Sequence, residues 1–289
     1  MFELSQQTVV VTGGGRGIGR GIALAMAAAG ARVVIAGRSA TTLDATVQEL
    51  QDAGAEALAI PTDITVSESV HALVAKTQDT FGYIDCWVNN AGSALPGDVG
   101  PLLELAEDQW DRVVDLNLKS TFFACQAAAR AMDRGGSIVN ISSRSATFPN
   151  PRTGQYGAAK AALDNLTATM AVEWGHRGIR VNAIAPGMVL TETNQAEGGS
   201  LSTPGRRARQ IDTVPLGRLG ELADVGGLAV FLASDAATWI TGQVIQVNGG
   251  SRLPVGYLSY LIEVSRKDGN APGRPKHDQR RAEGTSHDI

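Results

Sequence analysis

The sequence predicts an α/β fold, a doubly wound, mostly parallel seven-stranded sheet in a single domain. Three observations predict it. Short β-branched runs alternate with longer helical patterns, the rhythm of strand–helix–strand units that close a parallel sheet. A glycine-rich turn, Gly13 to Gly19, joins the first such run to the first helix. Each unusual cluster falls just after a strand, and in a parallel sheet those carboxyl ends share the edge where ligands bind. At 289 residues and 43% hydrophobic, the chain is large enough for one sizeable core.

The elements follow in order. Residues 8–12 are a β-branched run that feeds Gly13-Gly14-Gly15-Arg16-Gly17-Ile18-Gly19 and an Ala-rich helix to about Ala29. Backbone N–H groups in such a turn can approach a pyrophosphate at a helix N-terminus. The spacing is Thr-Gly-x-x-x-Gly-x-Gly, not G-x-G-x-x-G, because Arg20 occupies the third position counted from Gly15. Residues 32–36 form a second strand ending at Gly37-Arg38-Ser39. A preference for NAD usually places an acid here, to accept from the ribose 2′-OH. Arg38 stands there instead, and with Arg16 it would bracket a 2′-phosphate; otherwise both arginines face solvent.

A helix over 41–53 leads to the strand 55–60 and then Asp63-Ile64. Thr65-x-x-Glu68 has the form of a capping box opening a helix to about Phe81. Residues 84–88 make a fourth strand, closed by Asn89-Asn90-Ala91-Gly92. Helical patterns over 107–116 and on to Met132 enclose Asn117, which needs a specific partner if buried between Leu116 and Leu118. The fifth strand, 137–141, ends at Ser142-Ser143, and a helix carrying Tyr156 and Lys160 runs to about His176. Residues 179–185 form a sixth strand ending at Pro186-Gly187. The polar, Gly-rich segment 191–212 reads as a long loop, a kind that often forms a lid. A helix near 223–234 and a strand over 244–247 complete the pattern.

Tyr156 and Lys160 stand four apart at the start of a helical pattern, so they share a face one turn apart. A phenol with an ordinary pKa of about 10 needs a stabilised phenolate before it can exchange protons near neutrality. Lowering it to about 7 requires roughly 4 kcal/mol, about what a cation some 4 Å away supplies at an effective dielectric near 20. Lys160 is a candidate for that cation, and Ser143 could hydrogen-bond the same reacting oxygen. Taken alone, Tyr-x-x-x-Lys also fits a surface pair on an ordinary amphipathic helix.

The formal net charge of −4 gives no footprint for nucleic acid or an anionic membrane. Cys86 and Cys125 are too few for a disulfide framework, lack metal-ligand spacing and read as packing residues, so no metal is expected. Apolar runs fall short of a membrane span, and the start Met-Phe-Glu-Leu-Ser does not read as a signal peptide. A cytoplasmic location is the expectation.

Together, Thr12-Gly13-x-x-x-Gly17-Ile18-Gly19, Asn89-Asn90-Ala91-Gly92, Asn117, Ser143, Tyr156-x-x-x-Lys160 and Pro186-Gly187-x-x-x-Thr191 resemble the classical short-chain dehydrogenase/reductase family over residues 4–252. The resemblance implies a Rossmann-like catalytic domain over 1–252, with 253–289 as a C-terminal extension. It implies that Tyr156 is the general acid/base and that Lys160 lowers its pKa and binds the nicotinamide ribose. Ser143 would hold the substrate oxygen, and Asn117 would order a water linking Lys160 to solvent. Asp63 would contact the adenine, Asn90, Ala91 and Gly92 the adjacent ribose, and Val189 with Thr191 the carboxamide. Gly13, Gly15, Arg16, Gly17, Ile18, Gly19, Arg38, Ser39, Ile64, Pro186 and Gly187 complete the expected cofactor contacts. The implied reaction moves a hydride between nicotinamide C4 and a carbonyl carbon while Tyr156 moves the proton, with NADP(H) preferred and NAD(H) possible. A homodimer or homotetramer through the helices of Asn117 and Tyr156 is also implied.

Substrate choice is expected to lie in 191–212, 93–101, 145–155 and Met188, where 3-oxoacyl thioester reduction and steroid or other secondary-alcohol oxidoreduction are both open. Leu95, Phe148 and Met188 suit a hydrophobic ketone or simple core packing. Arg206, Arg207 and Arg209 fit an anionic substrate group, or more simply a solvated helix face. Residues 253–264 are apolar enough to pack, and 265–289 read as a flexible tail. A non-catalytic nucleotide sensor need not keep Ser143, Tyr156 and Lys160. A sugar-nucleotide epimerase or dehydratase usually carries Thr-Gly-x-x-Gly-x-x-Gly and a longer substrate domain.

Overall fold

The computed structural model describes residues 2–94 and 96–251, so the expectations for Leu95 and for 253–289 lie outside the described residues. The strands are β1 Thr8–Thr12, β2 Arg32–Gly37, β3 Ala57–Pro61, β4 Cys86–Asn89, β5 Gly136–Ile141, β6 Ile179–Pro186 and β7 Val244–Val247. They form one sheet in the order β3-β2-β1-β4-β5-β6-β7, every pairing parallel. The helices are α1 Gly17–Ala28, α2 Ala40–Asp52, α3 Ser67–Phe81, α4 Glu107–Val114, α5 Ser120–Ala131, α6 Gly154–Trp174, α7 Glu192–Gln195, α8 Pro204–Ile211 and α9 Leu222–Ala233. The chain winds outward from β1 to β3 and then restarts on the other side at β4. That reversal opens a crevice at the carboxyl ends of β1 and β4.

The period-2 alternation of a strand assigns each core residue to one face. Val9, Val11, Val33 and Ile35 pack with Ile22, Met26, Leu43, Leu50 and Val225, from α1, α2 and α9. Val10, Val34, Trp87, Ile138 and Val181 pack on the opposite face with Leu73, Cys125, Ala128 and Met170, from α3, α5 and α6. With helices on both sides, β1 is buried along its whole length, which suits its uncharged, wholly β-branched sequence, Thr8-Val-Val-Val-Thr12.

A buried polar chain fixes the centre of the second face. Trp87 Nε1 donates to Asn89 Oδ1 at 2.8 Å, Asn89 Nδ2 to Asn140 Oδ1 at 3.0 Å, and Asn140 Nδ2 to Thr167 Oγ1 at 3.0 Å. Satisfied networks of this kind specify one arrangement, because breaking any member strands a buried polar group. Here the network locks β4 to β5 and lays α6 across them.

Three expectations need correction. Thr65 does not cap a helix: its N–H and hydroxyl both donate to Asp63 Oδ1, at 2.9 and 2.7 Å, so the chain turns first and α3 begins at Ser67. The segment after Thr191 is not a plain loop but contains α7 and α8. The helix around Asn117 is interrupted by a π-type turn, Asp115–Lys119. Among the described residues, no helix is long and apolar enough to cross a membrane.

Candidate active site

The site is built where β5 hands the chain to α6. Ser143 follows the end of β5 and caps a short 3₁₀ turn, its Oγ accepting from Ser145 N at 3.1 Å. Thr153 precedes α6 and is held by Asn150, whose Nδ2 donates to Thr153 Oγ1 at 2.8 Å. Tyr156 and Lys160 then lie one turn apart on α6, with Lys160 Nζ 5.7 Å from the centre of the Tyr156 ring. Lys160 is buried, and its Nζ donates to Ile141 O, at the end of β5, at 2.9 Å.

Burial pulls the Lys160 ammonium down to about 8, against the opposing pull of the Asp164 carboxylate. Burial also raises the Tyr156 phenol above its ordinary value, and the neighbouring Ser143 hydroxyl only partly offsets this. Desolvation of the phenolate thus opposes the lowering expected from a neighbouring cation.

Asn117 owes its place to the π-type turn. Its Nδ2 donates to Val113 O at 2.9 Å, taking a carbonyl that a regular helix would use, and to Ser93 O at 2.8 Å. Asn117 Oδ1 is buried without a hydrogen-bond partner. A Cβ placed on Gly92 would lie 2.6 Å from that oxygen and 3.5 Å from Lys160 Nζ, so both polar ends converge beside Gly92. The orphaned acceptor suits a bridging water between the amide and the lysine.

The glycine turn lies on the same sheet edge. Gly17 opens α1 at φ +53°, a conformation that disfavours other residues. A Cβ on Gly19 would come within 2.2 Å of Gly13 O, so only glycine lets the helix start so close to the strand end. Arg16 at the N-cap offers no side-chain bond to the first turn, and that turn contains no acid. Its N–H groups suit a pyrophosphate in geometry and polarity. Asn90 secures the turn from β4, its Nδ2 donating to Thr12 O at 3.1 Å and Gly13 O at 3.2 Å. Its amide is therefore used on the backbone, and Ala91 N likewise donates to Thr12 Oγ1 at 3.1 Å.

At the adenine end, Arg38 is exposed just after β2, and Ser39 caps α2 through Thr42 N. Asp63 sits below its ordinary pKa because Thr65 hydrogen-bonds it, with the nearby Arg38 charge adding to the effect. Ile64 is buried beside it. Arg16 and Arg38 both keep exposed side chains, as a 2′-phosphate site would require. At the other end, Gly187 N donates to Val247 O at 2.9 Å. Val189 bridges to Gly220, and Thr191 caps α7 through Asn194 N at 3.3 Å.

Sequence reasoning missed three polar groups here. Glu192, next to Thr191, accepts from Gly17 N at 3.1 Å, 175 positions away. Asp164 stands one turn beyond Lys160, and burial raises its carboxyl above the ordinary range. The same four-residue spacing that revealed Lys160 also reaches Asp164. Arg144 is buried directly after Ser143, its Nη1 donating to Ser251 Oγ at 2.7 Å; no signal in the sequence marked it. The α8 arginines bond their own loop, Arg206 to Gly199 O and Arg207 to Leu201 O, both at 2.8 Å. Met188 and Val189 help line a cavity of about 480 Å³ beside β7, whose lining includes neither Tyr156 nor Ser143. Phe148 is half-buried. Among the described residues, no group of three His, Cys, Asp or Glu could hold a metal.

Comparison with known proteins supplies an independent line. A family model described as Enoyl-(Acyl carrier protein) reductase matches residues 13–252. The chain is 38% identical over 259 residues to 3beta-hydroxysteroid dehydrogenase 1 of Eggerthella lenta, spanning 88% of this chain and 97% of that one. It is 39% identical over 255 residues to a 3-oxoacyl-[acyl-carrier-protein] reductase of Synechocystis sp., spanning 86% and 98%. A short-chain type dehydrogenase/reductase from Mycobacterium ulcerans superposes with a TM-score of 0.84 at 37% identity, over 92% of this chain and 98% of that one.

Proposed function

The chain belongs to the classical short-chain dehydrogenase/reductase family and is an oxidoreductase of carbonyl and CH–OH groups, and we propose that it reduces a ketone with NADP(H). The observation that carries this reading is the meeting of Ser143, Tyr156 and Lys160 on the sheet edge that also holds the glycine turn. When bound, the nicotinamide cofactor supplies or takes the hydride. The protein holds it through the α1 N-terminus, Asn90 to Gly92, Lys160, Val189 and Thr191. Ser143 holds the substrate oxygen, and Tyr156 gives that oxygen its proton during reduction or removes it during oxidation. Lys160 keeps a positive charge beside the phenol, and Asn117 Oδ1 anchors the water that resupplies protons from solvent.

Arg16 and Arg38 favour NADP(H), because they place two guanidinium groups where an NAD site would carry an acid. A 3-oxoacyl thioester is the favoured substrate class, supported by the Synechocystis relative. Oxidation of a steroid or other secondary alcohol with NAD(H) is the second reading, supported by the Eggerthella relative. The proposal treats 1–252 as the catalytic unit of a cytoplasmic enzyme, where thiols such as Cys86 and Cys125 stay reduced. It further includes a homo-oligomer formed through α4, α5 and α6.

Two variants test the proposal. Tyr156→Phe is expected to bind nucleotide almost normally while losing about 10²–10⁴ of turnover, the usual worth of positioned proton transfer. Nucleotide oxidation followed by absorbance against ketones and 3-oxoacyl thioesters gives the readout, and near-normal turnover refutes the role. Arg38→Asp is expected to move the ratio of NADPH to NADH affinity toward NADH. An unchanged ratio makes Arg38 a bystander.

A further inference from the structure

We propose that Glu192 gates the dinucleotide site by competing with the cofactor's pyrophosphate for the N-terminus of α1. The inference rests on the reading of the glycine turn as a dinucleotide site.

Gly17 N–H is one of the donors that a helix start leaves without an intrahelical partner. Glu192 Oε2 accepts from it at 3.1 Å. The other carboxylate oxygen, Oε1, lies 3.7 Å from Nη1 of Arg20, the fourth residue of the same helix. The carboxylate thus sits on the positive end of α1, hydrogen-bonded to one N–H and in a long ion pair with a guanidinium whose Nε and Nη2 donate to Glu49 at 2.9 and 2.6 Å. A pyrophosphate bound there meets the same end of the helix dipole, and the Gly17 N–H is one of the few donors open to it. Two anions cannot share that donor, so cofactor binding must either displace Glu192 or hold it close to phosphate charge.

The neighbouring geometry favours displacement. Thr191 lies against the turn, its Cγ2 3.6 Å from the position a Cβ on Gly17 would take. Thr191 and Asn194 exchange reciprocal bonds, Thr191 N to Asn194 Oδ1 at 3.0 Å and Asn194 N to Thr191 Oγ1 at 3.3 Å. The single turn of α7 is therefore tied to itself, and Asn194 ties it onward, its Nδ2 donating to Val189 O and its carbonyl accepting from Leu201 N at 2.7 Å. Among the described residues, its polar attachments to α1 run through Glu192: the Gly17 bond and the contact with Arg20. Release of one carboxylate would detach this turn from α1, leaving it held through Asn194 to Val189 and Leu201.

Glu192→Gln keeps the shape and an acceptor for Gly17 N–H but removes the charge. Glu192 is more than half exposed, so screening by solvent makes the expected gain modest. NADPH and NADH should each bind the variant about three- to tenfold more tightly, by titration of nucleotide fluorescence. The gain should be equal for the two nucleotides, since both carry the pyrophosphate. Without nucleotide, amide hydrogen exchange across Glu192–Gln195 should be faster in the variant than in the wild type. Equal or weaker binding by Glu192→Gln overturns the gate, as does a gain confined to NADPH. If neither protein binds either nucleotide, the dinucleotide reading itself fails, and the gate with it.

Discussion

Lys160 shows how one buried residue constrains the chemistry of the whole site. Its ammonium is desolvated, and its pKa falls from the ordinary 10.5 to about 8, while the Tyr156 phenol beside it is raised. In the proposed ketone reduction the phenol gives up a proton beside a cation, so the protonated lysine would be the active form. The rate constant kcat/KM for reduction should therefore fall as pH rises through about 8. Unfolding would not explain that fall. Between pH 8 and 9 the unfolded chain holds a proton on Lys160 that the native chain has lost, so this group makes the fold more stable as pH rises. Cys86 and Cys125 act in the opposite sense, their thiols being pushed up to about 12 by burial, but only above their ordinary value of 9.0. The checking measurement is a pH profile of kcat/KM beside thermal melts at the same pH values. A flat profile across pH 7–9 would rule out Lys160 as the controlling group.

At the scale of single elements, what the sequence revealed depends on how local the cause is. β1 and β7 were legible to the residue, because runs such as Thr8–Thr12 and Val244–Val247 are bounded by turns. The glycine turn was legible because Gly17 and Gly19 answer a steric demand that no other residue meets. The π-type turn at Asn117 was not, because it arises when a side-chain amide takes the Val113 carbonyl, an event that leaves the apolar spacing unchanged. Thr65-x-x-Glu68 misled because Asp63, two residues earlier, competes for the same hydroxyl and wins. In α8 the marker was present: Thr203 caps the helix and Pro204 stands in its first turn, but a polar, Gly-rich context hid both. Ser143, Tyr156 and Lys160 were legible through their spacing. Glu192 was not, because its partner Gly17 is remote in sequence and contributes only a backbone N–H.

The whole molecule does what no single motif can: parallel winding brings the ends of β1 through β6 to one edge, so distant clusters become a single cleft. The same layering leaves apolar surface on the outside. On the face covered by α3, α5 and α6, Phe123 of α5 is 44% exposed and Val172 of α6 is 83% exposed, both pointing away from the sheet. Trp110 of α4 adds a third large apolar group at 43%. Exposed apolar groups on neighbouring helices are costly in water and are commonly covered by another chain. Because α4, α5 and α6 also frame Asn117 and Tyr156, an interface here would brace the π-type turn and the start of the helix that carries Tyr156 and Lys160. The chain should therefore run as a dimer or tetramer in light scattering coupled to size exclusion. Phe123→Glu together with Val172→Glu should lower the assembly state, because each subunit would bring two buried carboxylates to a self-complementary contact. An unchanged mass for that double variant would move the interface elsewhere, and a monomeric wild type would remove it.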